Sequence, residues 1–336
     1  MKRLFISIQI VIAFSFTVFS QTQLHLIDIG DLHLISGKII EDCQMGYRTF
    51  GQLNEDESNV IIYPTWFGGT SESIGSLVGK HHFIDTTKYY IIALDALGDG
   101  LSSSPSNYDK EFPQITIRDM VNAEFKLLTE FLDIQHIFAA VGGSLGSMQV
   151  LEWAVTYPDF MDKIVAYVAS PKMTSYDLLW LNIQVKVIES FQKCGMTEKE
   201  IQNISDMITA TMAHTPDYVV ENIKTENFPK YLSSFDKAPS KIFTSTDYVA
   251  QLKAIMNHDI SKNFNGSMKE ATKAIKADLF IIVSKYDMMV NPAEALKLAD
   301  LTGARKLILD SNCGHLAVSC ELEKCSKEIA NFFDQE

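Results

Sequence analysis

The residues with the most specific chemical potential are Gly142-Gly143-Ser144-Leu145-Gly146. They sit between a strand-like apolar run at 136–141 and a helix-compatible stretch at 148–156. A serine hydroxyl is a weak nucleophile unless a tight turn presents it and a neighbouring base takes its proton. A strand–turn–helix elbow does the presenting, and Gly143 and Gly146 keep side chains clear of strand and helix. The amide of Leu145, at the helix start, points at the place where a tetrahedral oxyanion forms. The chemistry this suits is acyl transfer through an ester on Ser144. In elbow-type sites the acid and then the histidine follow the serine along the chain. Of eight histidines, His315 lies late, after a strand and a glycine, in Asp310-Ser311-Asn312-Cys313-Gly314-His315. Asp287, in Ser284-Lys285-Tyr286-Asp287, directly follows the apolar run 279–283 and can fix the imidazole tautomer. Asp278 lies at the other end of that run. His81 and His82 precede Ser144 and read as loop residues. A second oxyanion donor should come from the loop after an early strand, Tyr63-Pro64-Thr65-Trp66-Phe67-Gly68-Gly69. The backbone amide of Trp66 is the first choice there and that of Phe67 the second.

These groups need a scaffold that brings distant segments together. Short apolar runs at 59–63, 89–94, 136–141, 163–169 and 279–283 read as buried strands, and from about Leu24 onward short strands and glycine turns precede them. Residues 116–132 have helical spacing through Met120, Ala123, Leu127, Leu128 and Phe131. Strands alternating with helices imply βαβ units and a mostly parallel sheet with flanking helices. Between Ser170 and Ala277 the rhythm changes to helices at 176–193, 197–214 and 246–257, with no strong strand between them. Such an insertion reads as a cap over the carboxyl ends of the strands, where ligands of open α/β sheets bind. The expected organisation is a core of 21–174 and 275–336 with a cap at 175–274.

The chain has 336 residues, 46% of them hydrophobic and 21% charged, enough for a sizeable core. A net charge of -13 without any Lys/Arg run repels phosphate backbones and anionic membranes, so nucleic acid is not an expected partner. Lys2 and Arg3, an apolar stretch at 4–19 and Ser20 read as a secretory signal peptide removed near Gln21. The rival reading, a retained membrane anchor, is disfavoured by the short length and by Gln9. Export would leave a mature protein with no stable membrane association. The five cysteines are Cys43, Cys194, Cys313, Cys320 and Cys325, so at least one is unpaired within the chain. Cys313 could pair with Cys320 or Cys325, and buried free thiols fit equally well. Neither C-x-x-C nor HExxH spacing occurs, so no metal is expected.

Thr116-Ile117-Arg118-Asp119-Met120-Val121, followed by Gly142-Gly143-Ser144-Leu145-Gly146-Ser147-Met148-Gln149-Val150-Leu151-Glu152-Trp153-Ala154, resembles the homoserine O-acetyltransferase family. Gly46-Tyr47-Arg48-Thr49-Phe50-Gly51-Gln52-Leu53-Asn54 is similar to that family's first strands. The likeness runs from about Leu34 to Leu316 and is weakest in the cap. It implies the α/β-hydrolase fold, a Ser-Asp-His triad, an acetyl-enzyme formed from acetyl-CoA, and a homodimer built through the cap. Residue by residue, it puts Ser144, Asp287 and His315 on the triad, and Trp66 and Leu145 on the oxyanion hole. Two positions depart from the family pattern. An Asp commonly follows the catalytic His and holds the substrate ammonium, and here that position is Leu316. An Arg in the first cap helix commonly binds the substrate carboxylate, and the matching stretch 182–188 offers Lys186, which keeps the charge without the bidentate fork. A site that leaves a ligand charge unpaired rejects that ligand, and export separates the enzyme from cytoplasmic acetyl-CoA. The sequence therefore leads to a serine acyl-transfer enzyme without a cofactor, an exported esterase or acyltransferase acting on a small ester or acyl donor. The alternatives are an acetyl-CoA-dependent homoserine O-acetyltransferase and a non-catalytic hydrolase-fold binding protein.

Overall fold

A computed structural model describes residues 22–335, so the proposed signal segment lies outside the described residues. Eight strands form one sheet: β1 (His25–Asp28), β2 (Gln44–Phe50), β3 (Val60–Pro64), β4 (Tyr90–Leu94), β5 (Ile137–Gly143), β6 (Met161–Tyr167), β7 (Asp278–Ser284) and β8 (Arg305–Leu309). Their spatial order is β1-β2-β4-β3-β5-β6-β7-β8. β1 and β2 pair antiparallel, as do β2 and β4, and every later pairing is parallel. This is the α/β architecture expected from the alternation of strands and helices.

The central strands are buried on both faces, which is why they read as unbroken apolar runs rather than alternating ones. Successive side chains of a strand serve opposite layers. Ile62, Ala140, Ile164 and Ile281 join one core with helices α1 (Ile117–Lys126) and α2 (Leu145–Thr156). Ile61, Tyr63, Val141, Val165 and Phe280 join the other, which Ile329, Phe332 and Phe333 of the C-terminal helix close. A capping box starts α1: Asp119 Oδ2 accepts from the Thr116 amide and hydroxyl.

After β3 the chain moves to one side to form β4, then returns to the other side of β3 to form β5. The reversal opens a crevice at the carboxyl ends of β3 and β5, the usual ligand position in open α/β sheets. The oxyanion loop leaves β3 there, and Ser144 leaves β5. Above the crevice lie α3 (Ser175–Lys193), α4 (Glu198–Ala213) and α5 (Ser245–Met256), each begun by a Thr-x-x-Asp/Glu capping box. Helix α6 (Met268–Ala274) leaves this group and packs beside α2 and α7 (Ala293–Thr302) in the core layer. No helix among the described residues is long and apolar enough to cross a membrane.

Candidate active site

Ser144 occupies φ 53°, ψ -122°, a region that costs a non-glycine residue about 1–3 kcal/mol. The packing around it enforces this. A Cβ on Gly146 would lie 2.5 Å from the Pro64 carbonyl oxygen, and one on Gly143 would lie 2.0 Å from the Tyr167 ring. Strand β3 and the ring of Tyr167 thus press the elbow from both sides, and the hydroxyl is left facing the crevice.

Asp287 and His315 arrive from segments far along the chain. Asp287 follows β7, and its Oδ1 accepts the amides of Met289 and Val290 at 2.8 and 2.9 Å. Its Oδ2 accepts from His315 Nδ1 at 2.8 Å. His315 Nε2 lies 3.0 Å from Ser144 Oγ and takes its hydrogen bond. Asp287 and His315 are both buried. The chain of contacts Asp287–His315–Ser144 can therefore move a proton off Oγ while the carboxylate stabilises the resulting imidazolium.

The oxyanion loop is pinned along its length. The Thr65 amide donates to Leu94 O at 3.0 Å, Thr65 O accepts from Gln149 Nε2 at 3.0 Å, and the Gly68 amide donates to Gln251 Oε1 at 3.0 Å. Just beyond, Ser71 is held through its amide and hydroxyl by the buried Asp95, at 2.5 and 2.7 Å. Burial and the Asp95 charge push the neighbouring Asp99 carboxyl well above its usual range. Leu145 is the first residue of α2, so its amide has no acceptor within the helix and faces the elbow. Among the described residues neither the Trp66 amide nor the Leu145 amide has a hydrogen-bond acceptor, and Phe67 lines the cavity.

The cavity at Ser144 is lined by Phe67, Met148, Leu181, Gln184, Tyr248 and Val290, among others. Its volume is about 30 Å³. That holds about two waters, the scale of a short acyl chain. The polar groups Gln184, Thr209 and Tyr248 satisfy one another: Gln184 Nε2 donates to Thr209 Oγ1 at 2.9 Å, and Tyr248 Oη lies 2.7 Å from that oxygen. Among the described residues, no three His, Cys, Asp or Glu side chains converge as metal ligands would.

Residues 59–319 match the family of the alpha/beta hydrolase fold. The chain belongs to the α/β-hydrolase family. It is 30% identical to a homoserine O-acetyltransferase of Nautilia profundicola over 344 aligned positions, covering 87% of this chain and 93% of that one. It is 27% identical to an ethyl acetate hydrolase of Pseudomonas veronii, over 81% of this chain and 82% of the relative. Among solved structures, an acetylester hydrolase from Corynebacterium glutamicum superposes with a TM-score of 0.84 at 25% identity, covering 93% and 96% of the two chains. The protein is an α/β-hydrolase-fold enzyme of acyl transfer or ester hydrolysis, similar to homoserine O-acetyltransferases and to esterases.

The structure brings Ser144, Asp287, His315, Trp66 and Leu145 to one crevice, but it does not bring Lys186 there. Lys186 is exposed on α3, while Gln184 is buried and lines the cavity. Two residues along a helix span about 200°, so a stretch with Gln184 inward must turn Lys186 outward. The buried spacing Leu181, Gln184, Val185, Ile188 was the available signal for the inward face. Leu316 is also exposed, on the turn after His315. The cap is tied to both loops of the triad. Trp180 Nε1 donates to Met289 O at 3.0 Å, and Thr215 Oγ1 donates to Asn312 O at 2.6 Å.

Proposed function

We propose that the protein is an exported esterase that hydrolyses esters of short acyl groups through an acyl-enzyme on Ser144. His315 is the base and later the acid, Asp287 fixes its tautomer, the amides of Trp66 and Leu145 hold the oxyanion, and water is the acceptor. The observation that carries this reading is the cavity at Ser144, small and lined by no charged side chain. Homoserine presents an ammonium and a carboxylate, each of which needs a partner when desolvated. Leu316 stands at the position of one expected partner, and Lys186 is exposed on α3. The similarity to an ethyl acetate hydrolase supports the same reading.

The partner is thus a small-molecule ester, with neither nucleic acid nor membrane. Export is supported by the disulfide between Cys313 and Cys320, a bond that persists in oxidising compartments. Exposed Tyr176, Leu179 and Ile183 share one side of α3 and support self-association through the cap. The second reading, homoserine O-acetyltransferase, has the 30% identical relative in its favour. One comparison separates them: p-nitrophenyl acetate, butyrate and octanoate hydrolysis against acetyl transfer from acetyl-CoA to homoserine. Hydrolysis of the short-chain esters without acetylation of homoserine supports the esterase, and homoserine acetylation faster than acetate hydrolysis overturns it.

A further inference from the structure

The turn that carries His315 has little structure of its own. Residues Gly314–Leu316 form a single 3-10 turn, and the helix after it, Ala317–Cys320, has four residues. Pieces this short do not persist without outside support. Thr215 Oγ1 on Asn312 O and His214 Nδ1 on Cys313 O, at 3.0 Å, hold the start of the segment, and buried Ala317 and Val318 pack against the core that the C-terminal helix closes. The imidazole itself is held by its hydrogen bonds to Asp287 and Ser144. What joins the start of the segment to its end is covalent. Cys313 and Cys320, seven positions apart, form the one disulfide among the described residues, and His315 lies inside its span.

We propose that the Cys313–Cys320 disulfide is the positioning device for His315, and that its reduction by an external dithiol slows turnover at Ser144. The proposal rests on His315 being the base for Ser144 and not on the identity of the acceptor. Cys320 is exposed and Cys313 buried, so the attacking thiolate reaches the Sγ of Cys320. The S–S bond breaks, Cys313 leaves as a thiolate and takes a proton, and a mixed disulfide remains on Cys320. The second thiolate of the reductant attacks its own bound sulfur, releases Cys320 as a thiol, and closes the reductant's disulfide. Two electrons pass from the dithiol to the protein, and both cysteines end as thiols.

The other thiols stay out of this exchange. Cys325 is buried, and burial raises its thiol to about 11, so at neutral pH it stays protonated and does not attack the bridge. Burial raises Cys43 to about 12 with the same result. Cys194 is exposed at the end of α3 and belongs to a different segment.

The consequence falls on turnover rather than on binding. None of the side chains lining the cavity at Ser144 lies between residues 313 and 320, so its walls survive opening of the bridge. A displacement of about 1 Å in a catalytic group costs about 100-fold in rate. The expected loss in kcat is therefore roughly 10- to 100-fold, with KM for p-nitrophenyl acetate changed less than about twofold.

The experiment uses the full mature chain, oxidised in air and then treated with dithiothreitol. Thiol titration follows opening of the bridge, circular dichroism follows folding, and kcat and KM are read throughout. The rate of Ser144 labelling by a fluorophosphonate is read in parallel, because it depends on His315 whatever the natural acceptor is. The expected result is a fall in kcat and in labelling rate as two further thiols appear, with recovery on reoxidation by glutathione disulfide. The double variant C313S/C320S should match the reduced enzyme and ignore dithiothreitol, while C194S should respond as the parent does. The proposal is overturned if both thiols appear while kcat and labelling stay unchanged, if only thermal stability moves, or if the air-oxidised protein already titrates with five thiols.

Discussion

Substituting Asp287 by Asn tests the triad more sharply than deleting it, because the structure dictates how the new amide must lie. Asp287 Oδ1 accepts the amides of Met289 and Val290, and Oδ2 accepts from His315 Nδ1. An asparagine has one acceptor oxygen and one NH2 group. The two backbone amides claim the oxygen, since facing them with the NH2 would set donor against donor twice. The NH2 group therefore points at His315 Nδ1. That nitrogen must then accept, and the ring proton moves to Nε2, 3.0 Å from Ser144 Oγ. A protonated Nε2 cannot take the serine proton.

The expected loss in kcat for D287N is about 10⁴-fold, or about 5 kcal/mol. KM should hold, because the Met289 and Val290 amides keep their acceptor and the cavity wall stays in place. The melting temperature should move by only a few degrees for the same reason. The assay is steady-state hydrolysis of p-nitrophenyl acetate, with S144A as the floor and fluorophosphonate labelling as an independent reading of nucleophile activation. A D287N variant within tenfold of the parent in kcat would refute the orienting role. A rise in KM at constant kcat would instead mean that Asp287 only shapes the cavity.

Glu124 is buried between α1 and α2, with Oε2 accepting from Trp153 Nε1 at 2.7 Å and Oε1 without a partner among the described residues; burial raises its carboxyl to about 8. The folded form thus keeps a proton that the unfolded chain releases near pH 4.5, so stability is full below that pH and falls as pH rises from there through 8, by on the order of 5 kcal/mol. In urea unfolding E124Q should match the parent at pH 5 and exceed it at pH 8.5, and parallel pH dependences for the two proteins would contradict the assignment. Leu181→Ala enlarges the cavity, so kcat/KM for p-nitrophenyl butyrate should gain at least about tenfold relative to the acetate, at a stability cost of about 2–5 kcal/mol. An unchanged chain-length profile would place the acyl group elsewhere. Lys186→Ala should leave kcat and KM within about twofold for every ester tested, because an exposed side chain away from the cavity contributes little. A clear rise in KM would restore Lys186 to the site.

Much of the scaffold was legible because burial on both faces writes itself into composition. The runs at 59–63, 136–141 and 279–283 are central strands of the sheet, and the helical periods at 176–193 and 246–257 are α3 and α5. The elbow was equally legible, since Gly143 and Gly146 stand where a Cβ would strike Tyr167 and Pro64. The order of Asp287 and His315 after Ser144 had only to be combined with the strands that precede them.

What was not legible depends on geometry that no local pattern encodes. Lys186 and Gln184 are two positions apart, and a family pattern emphasises charge while the helix period emphasises face; the face decided. The pairing of Cys313 required the distance between two ends of a turn, and either Cys320 or Cys325 satisfied the spacing. Val168 shows the limit most plainly. It is β-branched, yet it sits at φ 41°, a region such residues avoid, directly after the Tyr167 whose ring braces the elbow. Its amide donates to Ile282 O at 2.8 Å, which ties the turn after β6 to the strand that delivers Asp287. Nothing in the valine itself announces that conformation. The strain at Ser144 and at Val168 is held by the same packed strands, so nucleophile and acid are positioned by one rigid sheet, and the His315 turn, which follows β8 of that sheet, carries the Cys313–Cys320 bridge in addition.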